Sequence, residues 1–276
     1  MIFQRLIGVA AIAGVATLFA AGPAQGADAN PYDGNWHFSV TPYAWFPNVD
    51  AKVRFEIPPN SGGSPDVDTS TPNFLSDLRF AALLAGEARK DNWAFAMDVI
   101  YVDLGHLNSS VRDVHGPLGL VSIPVGTDVD TDLKATVWQG IASYTVARSA
   151  AGTLDVFGGV RYAGVKPAIE WNFSGPPGTL GRSGSLSGKV NLTDGIVGVR
   201  GAVKLGDDGR WFLPYYADVG LGNANWTWQA YAGLGYRFGW GDLLVAYRNL
   251  EYHARGDELL QDLRLGGPAI AATFRW

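Results

Sequence analysis

Asp262-Leu-Arg-Leu-Gly-Gly-Pro-Ala-Ile-Ala-Ala-Thr-Phe-Arg-Trp276 closes the chain. Counting back in twos from Trp276 meets Phe274, Ala272 and Ile270, while the places between hold Arg275, Thr273, Ala271 and Ala269. One face is apolar and the other small or polar, which is the period-two alternation of a half-buried strand. If this strand is one stave of a barrel, the chain before it must repeat the pattern.

Strand candidates bounded by Gly, Asp, Asn or Pro clusters recur along the chain: Trp36–Phe46, Leu78–Arg89, Trp93–Leu104, Asp132–Val146, Thr153–Trp171, Val190–Lys204, Trp211–Leu221, Trp226–Phe238, Leu243–Tyr252 and Leu263–Trp276. The tally is ten, an even number as single-chain bacterial barrels require. Eight follows if a pair is misread, and twelve if Ala51–Ile57 forms a separate hairpin arm with the first strand. Pro42, Pro167, Pro214 and Pro268 fall inside these strands, and each removes a ladder donor, so bulges or shorter strands are expected there.

Each strand has one face free of charge. Trp93, Phe95, Met97, Val99 and Tyr101 oppose Ala94, Ala96, Asp98 and Ile100. Trp226, Trp228, Ala230, Ala232, Leu234, Tyr236 and Phe238 oppose Thr227, Gln229, Tyr231, Gly233, Gly235 and Arg237. Alternation alone suits a soluble barrel equally well. The charge-free faces, however, are too rich in Trp, Tyr and Phe to pack inside a small barrel, and aromatics gather near strand ends, where membrane barrels carry interfacial girdles. An Arg facing lipid at mid-depth costs roughly 2–4 kcal/mol, so Arg161, Arg200 and Arg248 are expected to point inward. Gly159-Val160-Arg161, Gly198-Val199-Arg200 and Gly235-Tyr236-Arg237 share one order, which suggests that small inward residues leave room for long charged ones.

The links at Lys90–Asn92, Ala147–Gly152, Leu205–Arg210 and Gly239–Asp242 are short, whereas Pro47–Asp77, Gly105–Thr131 and Asn172–Lys189 are long. Membrane barrels place short turns in the periplasm and long loops outside, so both chain ends are expected on the periplasmic side. The link at Gly222–Asn225 is tight yet falls at the long-loop end.

A basic start at Met1–Arg5, an apolar run at Leu6–Ala21 and small residues at Ala24-Gln25-Gly26 read as a secretory signal peptide over residues 1–26, leaving 27–276 as one barrel domain. The chain has no cysteine and a formal charge of −5, with both signs mixed along it, so no disulfide framework and no nucleic-acid partner are expected.

The charge-bearing faces collect Glu87, Asp98, Arg161, Arg200, Asp218, Gln229, Arg237 and Arg248. This set reads either as a salt-bridge network filling a narrow lumen or as a charged constriction that selects solutes. A third group, His106, His115 and His253 with Asp103, Ser109, Ser110, Glu251 and Asp257, falls near the long-loop rim, where a surface hydrolase would place a site. No spacing among them specifies a nucleophile and base. His37 and Ser39 face inward near the short turns, where a hydrogen bond inside a filled barrel is expected. Asp128, Asp130 and Asp132 alternate as in a calcium loop, but Leu133 stands where that loop needs Gly and Gln139 where it needs Glu. Together with Asp66 and Asp68 they suggest an acidic outer surface that shares divalent ions with lipopolysaccharide. No phosphate loop, zinc spacing or nucleophile elbow is present, and no cofactor is expected.

The closing strand with Ile270, Phe274 and Trp276 resembles the C-terminal assembly signal of Gram-negative outer-membrane β-barrels. Tyr216-Ala217-Asp218-Val219-Gly220, Trp226-Thr227-Trp228-Gln229, Gly235-Tyr236-Arg237, Ala246-Tyr247-Arg248 and Gly267-Pro268 are similar to motifs of small barrels in the opacity-type and OmpW-like grouping. The resemblance implies an all-β, closed antiparallel barrel in the outer membrane, monomeric, contacting lipopolysaccharide and delivered by the barrel-assembly machinery. The function expected is a narrow passive channel for small solutes. A closed structural or surface-interaction barrel without a pore is the alternative, and a surface hydrolase the third reading.

Overall fold

A computed structural model describes residues 30–54, 66–71, 78–108, 128–172, 183–206, 208–253 and 260–276. The described residues form β1 (Trp36–Trp45), β2 (Asn48–Arg54), β3 (Asp66–Thr71), β4 (Leu78–Lys90), β5 (Trp93–Asn108), β6 (Asp128–Ser149), β7 (Gly152–Asn172), β8 (Ser183–Ser187), β9 (Val190–Leu205), β10 (Trp211–Gly222), β11 (Trp226–Phe238), β12 (Gly241–His253) and β13 (Leu260–Arg275). Ten of them close a ring in the order β1-β4-β5-β6-β7-β9-β10-β11-β12-β13 and back to β1, every pair antiparallel. Lipid offers backbone groups no hydrogen bonds, so a sheet that spans it must close on itself. The last ladder closes at the terminus, where the Phe38 and Trp276 backbones exchange N–H···O bonds of 2.8 and 3.0 Å.

All the expected staves are present. The eight- and twelve-strand alternatives fail because β2 and β3 hang from the edge of β13 and do not enter the ring. β2 covers part of the expected Ala51–Ile57 arm, and residues 55–57 of that arm lie outside the described residues. β8 was not expected. It pairs β7 within what reads as a loop, because Ser183–Ser187 carries Ser and Gly with no apolar alternation to betray it. β5 and β6 also run further toward the long-loop end than expected, since polar strands above the lipid need no greasy side. Asp128, Asp130 and Asp132 therefore sit on strand β6, not in a loop.

The prolines fall at breaks in the ladders. β1 stops pairing β4 at Pro42↔Leu84. Pro167 lies between the end of the β9 ladder at Val165 and the start of the β8 ladder at Ala168. Pro214 lies in a gap of the β11 ladder, between Phe212↔Gly235 and Tyr215↔Ala232. At Pro268 the partner of β13 changes from β1 to β2, and its carbonyl still accepts the Phe46 N–H at 2.9 Å. A missing N–H costs no bond at such places. The tight Gly222–Asn225 link is held by its neighbours, Asn223 N–H donating to Thr193 O (3.1 Å) and Asn225 N–H to His253 O (2.8 Å).

The charge-free faces point outward. Trp93, Met97 and Val197 are 54%, 54% and 61% exposed, and Val219, Val245 and Ile270 are also bare. A bare apolar belt of this extent needs a partner, and lipid is the partner a closed barrel fits. Trp36, Phe38, Trp93, Tyr144, Trp211, Tyr236, Phe238, Trp240 and Trp276 line the short-turn edge, many in ring contact, as in Trp93–Tyr144 (centroids 5.0 Å) and Trp211–Tyr236 (4.8 Å). Tyr101, Trp138 and Tyr162 mark the other edge on β5, β6 and β7, with Trp138 and Tyr162 stacked at 6.1 Å. Trp93 to Tyr101 is the interval a tilted strand needs, about 9–11 residues. Above Tyr101 the outward places turn polar, and Lys134 pairs with Asp103 at 3.1 Å.

Val199 sits near the middle of this belt on β9. Replacing it with Arg is expected to lower unfolding stability by roughly 2–4 kcal/mol in lipid vesicles. Urea titration against the unmutated barrel checks it, and an unchanged midpoint would place that face away from lipid.

Candidate functional site

Because side chains alternate, the opposite faces project into the lumen, where the charges must find partners or stay unpaired in a small enclosed volume. They are stacked in tiers. At the short-turn mouth Asp242 meets Arg237 (3.4 Å) and Arg275. Above it Arg89 bridges Glu87 (3.1 Å) and Asp155 (2.5 Å), and Arg200 reaches the same Glu87 (2.8 Å). Thr145 donates to Asp155 at 2.7 Å, and Arg200 donates to Ser143 at 2.7 Å.

The middle tier joins distant strands. Arg248 donates to Asp98 (2.8 Å), to Gln229 Oε1 (2.9 Å) and to the Tyr43 hydroxyl (2.9 Å), which itself donates to Asp98 (2.7 Å). In the upper tier Arg161 pairs with Asp218, donates to Gln139 Oε1 from Nε (3.1 Å) and Nη2 (3.0 Å), and reaches Thr227 Oγ1 (3.5 Å). Asp194, directly across the ladder from Arg161, accepts the Ala224 N–H at 2.9 Å. Arg161, Asp194 and Thr227 are 0% exposed.

A dry apolar layer meets this tier. Ile100, Val137, Ala163, Val165, Val190, Leu192, Leu250, Tyr252 and Leu263 pack together with Trp45, all turned inward. Leu192 and Leu250 are 1% and 0% exposed. The lumen is thus plugged by its own side chains from the Arg161 tier upward. Below lies a cavity of about 420 Å³, walled by the lower and middle tiers, by Tyr216 and Tyr231, and by small inward residues such as Ala85, Ala96, Ala202, Ala246 and Ala271. Its lining includes Arg89, Asp242 and Arg275, so it is a cup open at the short-turn end.

The repeated Gly-apolar-Arg order proves to serve large neighbours, a correction to the expectation that its glycines make room for charges. A Cβ on Gly198 would lie 2.6 Å from Phe157 Cζ, and one on Gly235 would lie 2.3 Å from Phe212 Cζ. The space under Gly198 lets Phe157 stack on Tyr216 (5.0 Å), which stacks on Tyr231 (5.2 Å).

Of the residues expected in the lumen, Glu87, Asp98, Arg161, Arg200, Asp218, Gln229 and Arg248 are all brought into these tiers, but in three separate knots and not as one ring. Arg237 stands apart at the mouth. Tyr43, Arg89, Asp155 and Gln139 complete the three knots, Asp242 and Arg275 join Arg237 at the mouth, Asp194 lies across the ladder from Arg161, and none of these belongs to the expected set. Their inward parity was the available signal. Ile270 and Phe274 of the terminal strand face outward, and the Trp276 ring stacks on Phe38 (6.3 Å).

His37 bonds Asp33 (2.8 Å) in the exposed stretch before β1, a correction to the bond expected inside the barrel, and this contact holds the Asp33 carboxyl down at about 2. At the long-loop rim His253 lies against Trp226 (4.2 Å) and contacts Asp262 (2.7 Å) and Glu251 (3.5 Å). These groups are on the outer wall, and among the described residues no hydroxyl joins them in a triad. The side chains of His106, Ser109, Ser110, His115 and Asp257 lie outside the described residues.

Removing Arg161 alone would leave Asp218 buried without its counter-charge. Arg161→Ala is expected to destabilise the barrel by about 3–5 kcal/mol, whereas Arg161→Met with Asp218→Leu should recover most of the loss. Urea unfolding of both variants checks it.

No protein-family profile matches the sequence, and neither does any curated protein. Solved structures do resemble the fold. The outer-membrane protease OmpT from Escherichia coli matches at a TM-score of 0.51 and 8% identity, over 91% of this chain and 99% of that one. The translocator domain of the autotransporter NalP from Neisseria meningitidis matches at 0.40 and 16%, over 89% and 91%. Neisserial surface protein A matches at 0.33 and 12%, over 87% and 97%. With its closed ladder and its apolar belt, this chain has the fold of a small β-barrel of the outer-membrane type, the fold that OmpT shares.

Proposed function

We propose that this protein is an outer-membrane barrel with a sealed lumen, a blind cup opening toward the periplasm, and not a constitutively open porin. One observation carries the reading: the Arg161 tier and the Leu192–Leu250 layer above it have essentially no contact with water. An ion crossing that layer would have to shed its hydration inside a low-dielectric plug, a penalty far above thermal energy. Barrels of about eight strands are just filled by their own side chains, and ten is close to that limit. The function then lies in what the cup holds or what the outer rim meets. At that rim Arg264, 58% exposed along its side chain, is placed to meet lipopolysaccharide phosphate. Catalysis is no part of this reading, since the His253 group has no nucleophile in contact among the described residues.

A narrow passive channel is the second reading, favoured by the cup and its paired charges, with the Arg161 tier acting as a gate. Planar-bilayer recording of the refolded protein separates the two, with heat-modifiable gel migration showing that the barrel has formed. The sealed reading predicts silence from the unmutated protein. Discrete, reproducible openings would favour the gated channel.

A further inference from the structure

We infer that the cup is a binding site for a neutral, hydroxyl-rich solute of one or two sugar rings, entering from the short-turn mouth. Its volume of about 420 Å³ falls in the lower part of the range for small-molecule sites, roughly 300–1,000 Å³. The charge of its lining argues for a neutral occupant. Arg89, Arg200, Arg248 and Arg275 stand against Glu87, Asp98, Asp155 and Asp242, four of each sign. Every one of them already has an opposite partner within the wall. A charged ligand would have to break one of these pairs and strand its partner inside the barrel, whereas a neutral one leaves them intact.

The exposed edges of these pairs present donors and acceptors side by side, which suits hydroxyl groups, since each can both donate and accept. A purely apolar occupant would strip water from those edges and return nothing. The cup also offers an apolar platform. Tyr231 and Tyr216 line it and stack at 5.2 Å with an interplanar angle of 7°, backed by Phe157. A sugar ring has a face of weakly positive C–H groups that suits the negative face of an aromatic ring, and hydroxyls around its rim that suit the ion pairs. Ala85, Ala96, Ala202, Ala246 and Ala271 keep the space between platform and ion pairs open.

The inference goes beyond the sealed-lumen reading and fails separately from it. If the barrel conducts, the same site lies in the conduction path, and sugar should then reduce the current.

The test uses the folded barrel in phospholipid nanodiscs, avoiding detergents with sugar headgroups. Saturation-transfer NMR and titration calorimetry are run with glucose and sucrose, and in parallel with citrate and spermidine as charged probes. Saturable binding of at least one sugar is expected, weakened about tenfold by Tyr231→Ala and lost in Ala246→Phe, which fills the cup from a position that is itself no member of an ion pair. Heat-modifiable migration must show that both variants are folded, and Ala246→Leu replaces the larger residue if Ala246→Phe is not. The inference is overturned by the absence of saturable binding from both sugars, by unchanged affinity in the cup-filling variant, or by tighter binding of citrate or spermidine.

Discussion

Closure of the first strand on the last is the constraint on which the rest of this structure depends. In lipid an open sheet edge would leave a row of N–H and C=O groups with no partner, at several kcal/mol each. β1 and β13 remove that edge, and the paired bonds between Phe38 and Trp276 carry the seam to the last residue of the chain. Once the ring is closed, each side chain is committed by parity to lipid or lumen. A one-residue slip in any ladder would turn Arg161 or Arg248 toward lipid and Val160 or Tyr247 into the plug, so the ladders and the two faces enforce each other.

The size of the ring then decides what the lumen is. Ten staves leave an interior that side chains can nearly span, and here they do so unevenly. Near the long-loop end, branched and aromatic residues close it. Toward the short turns, alanines lie between the charged residues and leave a cup. The charged tiers at the boundary have little access to water and are held by pairing. Such pairs add little net stability over apolar residues of the same shape, but breaking one is costly, so the network acts chiefly to fix how the strands face each other.

Much of this is legible in the amino-acid sequence alone. The staves from Trp36 to the terminus follow from period-two alternation, and the inward turn of Arg161, Arg200 and Arg248 follows from the cost of a charge in lipid. Who meets whom across the lumen was not legible. Arg248 bonds Asp98 across 150 positions and Tyr43 across 205, and such partners depend on the tilt and stagger of the closed ring, which local pattern does not encode. The role of Gly198 and Gly235 is not encoded locally for the same reason, because the rings they accommodate belong to the neighbouring strands. β8 is hidden in the sequence because Leu186 is its one apolar side chain and the Ser and Gly residues around it read as a loop.

The sealed lumen is tested most directly by single-cysteine labelling, which the absence of native cysteine makes unambiguous. Ala271→Cys places a thiol in the cup, and Ala163→Cys places one in the apolar layer, where alanine is 1% exposed. In barrels reconstituted into vesicles, a small water-soluble thiol reagent should modify the cup cysteine from the short-turn side and leave the layer cysteine untouched from either side. Labelling of both at comparable rates would mean that water crosses the layer, and the sealed barrel would have to be abandoned.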